Sequence, residues 1–158
     1  MILILLSLAF GAGLPEINVW FPEEEGVPTK IAQWCEPPVV NVCKDSEIKL
    51  KDVEGAFLFL NQPVVEIREV RNCHCQLRLG EIQFASTTCK DISPLHGQAI
   101  ITYSDGCISS GIVIIRTQEP IVLTHETGHA LGWTHTSLFN HVMNPEYEGV
   151  GWFKLGME

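Results

Sequence analysis

Positive charge is scarce in this sequence. Ten Lys and Arg stand against nineteen Asp and Glu over 158 residues, a formal net charge of −9 at pH 7. That balance repels phosphates and anionic headgroups, so nucleic acid and anionic membrane are excluded as partners. Long apolar runs are scarce too. Only Ile2 to Phe10 is nearly all apolar, and it is too short to span a bilayer. There is no internal repeat and no low-complexity tract. A chain of this length is expected to form one domain around one core, without a membrane span and as a monomer. Glu23-Glu24-Glu25 is a short acidic run of the solvated kind.

The apolar run is followed by Gly11-Ala12-Gly13, small residues of the type found at cleavage sites. Residues 1–13 therefore read as a secretory signal peptide. No Lys or Arg precedes the run, which leaves an apolar N-terminal strand as the other reading. Residues 14–38 hold five of the nine prolines and no strong periodicity. They read as a leader, a loop-rich arm or an added edge strand.

Six cysteines are present: Cys35, Cys43, Cys73, Cys75, Cys89 and Cys107. An even number in an exported chain implies disulfides and a secreted, extracellular or periplasmic location. Cys35 and Cys43 are near enough to close a local loop. Cys73 and Cys75 are too near to pair with each other, so each is expected to reach Cys89 or Cys107. The competing reading is a second metal site built on Cys73-His74-Cys75.

Periodicity predicts a strand at 39–42, then a helix over 46–60 capped by Asp45 or Ser46. A strand follows at 64–70. Leu77 and Leu79 alternate, then Ile82 and Phe84 alternate in the opposite phase across Gly80-Glu81, as in one bulged strand. Residues 86–97 are rich in turn formers. A strand at 99–103 precedes the turn Ser104-Asp105-Gly106. The run at 112–115 is unbroken and apolar, as in a strand covered on both faces. Pro120 suits the first turn of the next helix.

That helix carries His125-Glu126-Thr127-Gly128-His129-Ala130-Leu131-Gly132-Trp133-Thr134-His135, or H-E-x-x-H-x-x-G-x-x-H. His125 and His129 lie one turn apart on one helix face and can share one metal ion. Gly132 can end the helix in a left-handed turn that a Cβ would resist, bringing His135 round as a third ligand. Three protein ligands leave a fourth position for water, the arrangement of catalytic rather than structural zinc. Glu126 is placed to act as a base on that water. Met143 follows eight residues after His135, within His141-Val142-Met143-Asn144-Pro145. His141 matches no ligand position and reads as a surface histidine.

The long motif followed by a methionine turn resembles the metzincin clan of zinc endopeptidases. Within the clan it is similar to the matrixins. Thr136 stands where they usually carry Ser, the spacing from the third His to Met143 matches, and Pro145 lies two residues beyond. The Tyr that astacins and serralysins carry there as an extra ligand is missing, since Tyr147 comes two residues too late. The motif-level likeness covers about residues 112–145.

The resemblance implies an α+β fold, α/β-like in its upper half. Its parts are a twisted five-stranded mixed sheet, two helices and a short irregular C-terminal subdomain, with residues 39–158 as the catalytic domain. It implies Zn2+ held by His125, His129 and His135, Glu126 as catalytic base, and Met143 as the floor beneath the metal. It also implies that Ala99, Ile100, Ile101, Thr102 and Tyr103 form the edge strand that binds a protein or peptide substrate in extended conformation; an interior strand is the other reading. Residues 144–158 show no amphipathic helix where matrixins have one, so the lower rim of the cleft departs from the pattern. The expected activity is zinc-dependent peptide hydrolysis in a secreted protein. Two rivals stand beside it: a secreted metzincin-like protein that binds zinc or a partner but cuts nothing, and a cytosolic metal-binding protein with reduced cysteines. Cys35 does not lie in the matrixin switch motif, and no cysteine-switch latency is expected.

Overall fold

The apolar run near residue 112 becomes the middle of the fold. In the computed structural model, residues 23–24, 27–44, 46–62, 66–71, 73, 75–85, 96–138 and 141–145 are described. The elements in chain order are β1 (Glu23–Glu24), β2 (Gln33–Trp34), β3 (Val39–Cys43), α1 (Leu50–Phe59), β4 (Glu66–Val70), β5 (Glu81–Ala85), β6 (Gly97–Ser104), β7 (Cys107–Ile115), α2 (Pro120–Ala130) and β8 (His135–Thr136). Strands β4, β3, β5 and β7 lie side by side and parallel, and β6 adds to β7 antiparallel. Strand β2 continues the sheet beside the start of β7, with Gln33 opposite Cys107. The fold is thus mixed α+β, a multi-stranded sheet with two helices.

Side chains alternate across this sheet with period two. Val40, Val42, Ile82, Phe84, Val113 and Ile115 face the helices, where they meet Val53, Phe57 and Leu60 from around α1 and Val122 and Leu123 from α2. Cys43, Ala85, Ile112 and Ile114 form the other face, covered by Cys73, Cys75 and Leu77. The centre of β7 is therefore buried on both faces, as its unbroken run requires. Asp105 (φ 52) and Gly106 (φ 77) close the β6–β7 hairpin in the left-handed conformation that a tight turn demands.

Three expectations need correction. The first helix begins at Leu50 rather than near 46, with Lys49 as an N-cap that has no side-chain hydrogen bond. Ser46 is occupied elsewhere, since both its hydroxyl and its backbone N–H donate to the Cys43 carbonyl. The other proposed cap, Asp45, lies outside the described residues. The second correction is at Gly80. Leu79 is 71% exposed, Gly80 has φ 75, and Glu81 N–H donates to the Arg78 carbonyl. The phase slip there is a turn before β5, not a bulge within one strand.

The third correction concerns the disulfides. Cys35 bonds to Cys107 and Cys43 to Cys73. Cys35 and Cys43 do not close a loop, because β3 lies between them and spans roughly 15 Å. Each instead pairs across the sheet. Cys35 follows β2 next to the start of β7, and Cys43 ends β3 opposite Val70, three positions before Cys73. Cys75 is disulfide-bonded as well, so Cys73-His74-Cys75 cannot serve as a thiolate metal site. Cys89 and residues 1–13, read from the sequence as a signal peptide, lie outside the described residues, as does the C-terminal stretch from 146. Among the described residues no helix is long and apolar enough to cross a membrane, and the disulfides fit an extracellular protein.

Candidate metal centre

Helix α2 is buried from Val122 through Ala130. Two of its hydroxyls would be stranded there, and both are satisfied within the helix. Thr124 donates to the Pro120 carbonyl at 2.9 Å and Thr127 to the Leu123 carbonyl at 2.7 Å. Its C-terminus closes in a Schellman arrangement. Trp133 N–H donates to the Gly128 carbonyl and Gly132 N–H to the His129 carbonyl, with Gly132 at φ 91. A Cβ on Gly132 would also collide with the Ala32 carbonyl. Glycine is thus required twice, by conformation and by space.

Beyond that turn the chain comes back to place His135 beside the helix. The three Nε2 atoms form a small triangle: His125 to His129 at 2.9 Å, His129 to His135 at 3.0 Å, and His125 to His135 at 3.2 Å. The other ring nitrogens fix the tautomers. His125 Nδ1–H donates to the Val142 carbonyl at 2.7 Å, and His129 Nδ1–H donates to the Trp133 carbonyl at 2.8 Å. A carbonyl only accepts, so these nitrogens carry the protons and the two Nε2 atoms are bare lone pairs. Two lone pairs facing each other at 2.9 Å cannot hydrogen-bond. A cation between them resolves the repulsion, and an ion at about 2.0–2.1 Å from each nitrogen touches all three. The donor set fits a metal ion.

Burial keeps the site ready for metal. His125 is 1% exposed and His129 3%. Desolvation pushes His125 down to about 3, against a raising contribution from its bond to Val142, with His135 and His141 lowering it further. Desolvation holds His129 well below the usual imidazole range, helped by His125 and His135. Neutral imidazoles are the form that binds metal. His135 is only half-buried, which puts the open side of the cluster near it.

Met143 is fully buried, and its sulfur packs on Gly128, where any Cβ would collide with it. Its turn is tied down by Thr136 N–H to the Met143 carbonyl and by Asn144 N–H to the His141 carbonyl. His141 is not a surface histidine. It is 8% exposed, and its Nδ1 accepts the Met143 N–H at 3.0 Å. A lone histidine in a loop has no periodicity to betray that role. Glu126 is 5% exposed and lies on α2 against Gly97, the first residue of β6. Ala99 and Ile101 of β6 point into the core, Ile100, Thr102 and Tyr103 are half-buried, and β6 pairs with β7 alone among the described strands.

The N-terminal arm is the part of the site that periodicity did not reveal. Ile31 N–H donates to the Gly132 carbonyl, Thr134 N–H to the Thr29 carbonyl, and Thr29 N–H to the Thr134 hydroxyl at 3.0 Å. That hydroxyl donates back to the Thr29 carbonyl, and Trp34 Nε1–H donates to the Ala130 carbonyl. Lys30 lies over the Trp133 ring at 4.9 Å. Strand β1 runs parallel to β8, Glu23 opposite His135. The arm thus clamps the loop that delivers the third histidine. Cys35 is held in its disulfide and offers no thiolate to a metal. Neither a protein-family model nor a curated protein sequence matches the chain.

Proposed function

We propose that this protein is a secreted zinc-dependent endopeptidase of the metzincin, matrixin-like kind that its motif resembles. The observation that carries the reading is the convergence of three Nε2 atoms on one point, with the His125 and His129 protons committed to carbonyls on the far side of the rings. The run of strands β4-β3-β5-β7-β6 over two helices, with an antiparallel edge, supports it too, although the short β2 beside β7 makes the sheet six-stranded where the resemblance implies five. The disulfides support export.

In this reading His125, His129 and His135 hold the metal. Zinc bound there supplies Lewis acidity, polarising a carbonyl and lowering the pKa of water toward neutrality. Glu126 takes a proton from the attacking water and returns it to the leaving amine. The open edge of β6 pairs with an extended peptide and presents its carbonyl to the site. Met143 supports the imidazoles from below, through Gly128.

The test is incubation of the zinc-loaded protein with a diverse peptide mixture, cuts being read by mass spectrometry. Glu126→Ala serves as control. It should keep about one zinc per chain, since the ligands are untouched, and lose cleavage by a factor of about 10² or more. Cleavage at the wild-type rate by Glu126→Ala would overturn the mechanism. Zinc binding without any cleavage by the wild type would leave a zinc-holding binding protein.

A further inference from the structure

Strand β6 begins at a glycine that its backbone does not need. The positive-φ glycines among the described residues are Gly80, Gly106 and Gly132, so Gly97 has a conformation open to any residue. It is paired with Ile115, and the strand start is anchored by Arg116 N–H donating to the His96 carbonyl. Glycine weakens a strand and in such a place marks a close approach. The approach here is to Glu126. A Cβ on Gly97 would lie 2.8 Å from Glu126 Cγ, 3.1 Å from Glu126 Oε1 and 2.8 Å from Val122 Cγ1. Relaxed contacts between carbon atoms lie at about 3.5–4.0 Å.

We propose that Gly97 is a positioning residue for Glu126: the side chain it lacks is the slot that admits the Glu126 side chain and sets the direction of its carboxylate on the helix that also carries His125 and His129. Glu126 is buried between α2 and the first residue of the edge strand, so it can yield to a new methyl group only by changing rotamer or by lifting β6. Either movement changes where the carboxylate points. The three atoms nearest the added Cβ belong to Glu126 and Val122 rather than to the three histidines, so metal binding is expected to stay intact. The catalytic consequence rests on the function proposed above, whereas the packing relation stands on geometry alone.

The experiment is a double-mutant cycle of Gly97→Ala and Glu126→Ala, read by urea unfolding of the metal-free protein, with metal content and steady-state kinetics alongside. Gly97→Ala should keep about one metal ion per chain. Its kcat should fall by about 10²-fold with KM little changed, as expected when a reacting group is displaced by about an ångström. Its unfolding midpoint should drop in the wild-type background and drop less in Glu126→Ala, where the colliding side chain is gone. The Val122 contact is present in both backgrounds and cancels. Should Gly97→Ala alone not fold, recovery of folding in the double variant supports the proposal, and a double variant that is equally unfolded overturns it. Additive midpoints, or a wild-type kcat in Gly97→Ala, also overturn it. If the wild-type protein cleaves no peptide, the proposed function fails, and the unfolding cycle by itself decides the role of Gly97.

Discussion

His141 holds the turn that orients His125. Its Nδ1 accepts the Met143 N–H, and the carbonyl between them in sequence, that of Val142, is the acceptor for His125 Nδ1. Burial lowers the pKa of His141, which keeps its ring neutral and able to accept. His141→Ala would strand the buried Met143 amide at a cost of about 1–3 kcal/mol. It should also weaken metal binding about 10–100-fold, the usual effect of losing a group that orients a ligand. His141→Asn offers a carboxamide oxygen and should recover part of both losses. Chelator competition and urea unfolding measure the two effects. Unchanged metal affinity in His141→Ala would mean that the Thr136 and Asn144 hydrogen bonds hold the turn without it.

The arm around residues 29–35 and the turn after α2 form one unit, although Thr29 and Thr134 are 105 residues apart. The Cys35–Cys107 bridge ties that unit to β7. Replacing both cysteines by Ser should cost about 2–5 kcal/mol of stability and loosen His135, so that metal affinity falls and activity does not rise. A gain in activity for the bridge-less protein would point to restraint by the arm instead. Much of the unit's other half was legible beforehand. The spacing of His125, His129, Gly132 and His135 repeats with the helix and its C-terminal turn, so a local pattern carries that geometry. The valine-rich stretch at 39–42 and the unbroken run at 112–115 likewise point to β3 and β7. The arm carried no such pattern. Its prolines hide periodicity, and its hydrogen bonds are main-chain bonds whose partner lies far along the chain. Cysteine pairing failed to read for the same reason, since Cys43–Cys73 follows from the register of β3 on β4 rather than from nearness in sequence. Gly80 misled because a turn and a bulge both shift the phase of alternation.

Burying two imidazoles also shapes how the protein as a whole responds to acid. In the metal-free fold His125 is pushed down to about 3 and His129 well below its usual value, both chiefly by desolvation. In the unfolded chain both return to about 6.5. Below that pH the unfolded state binds protons that the folded state refuses, so stability decreases as pH falls. The sign is opposite to that of a histidine paired with a carboxylate, which would stabilise the fold in acid. In the unfolded chain carboxylates titrate near about 4, below the window between about pH 6.5 and 5. That window therefore isolates the imidazoles. Each contributes a slope of at most about 1.4 kcal/mol per pH unit, so the pair approaches 2–3 kcal/mol per unit toward the lower end of the window. Urea unfolding of the metal-free protein at several pH values measures this slope. His125→Gln and His129→Gln should each remove a large part of it, whereas His125→Gln combined with His129→Gln should leave only the contribution of His141, whose pKa burial also lowers. Metal loading should raise stability at neutral pH and steepen the loss in acid, because only neutral imidazoles bind the ion. A metal-free protein whose stability stays level from pH 6.5 to 5 would show that these rings take up protons in the folded state, and the closed, dry ligand cluster described here would then be wrong.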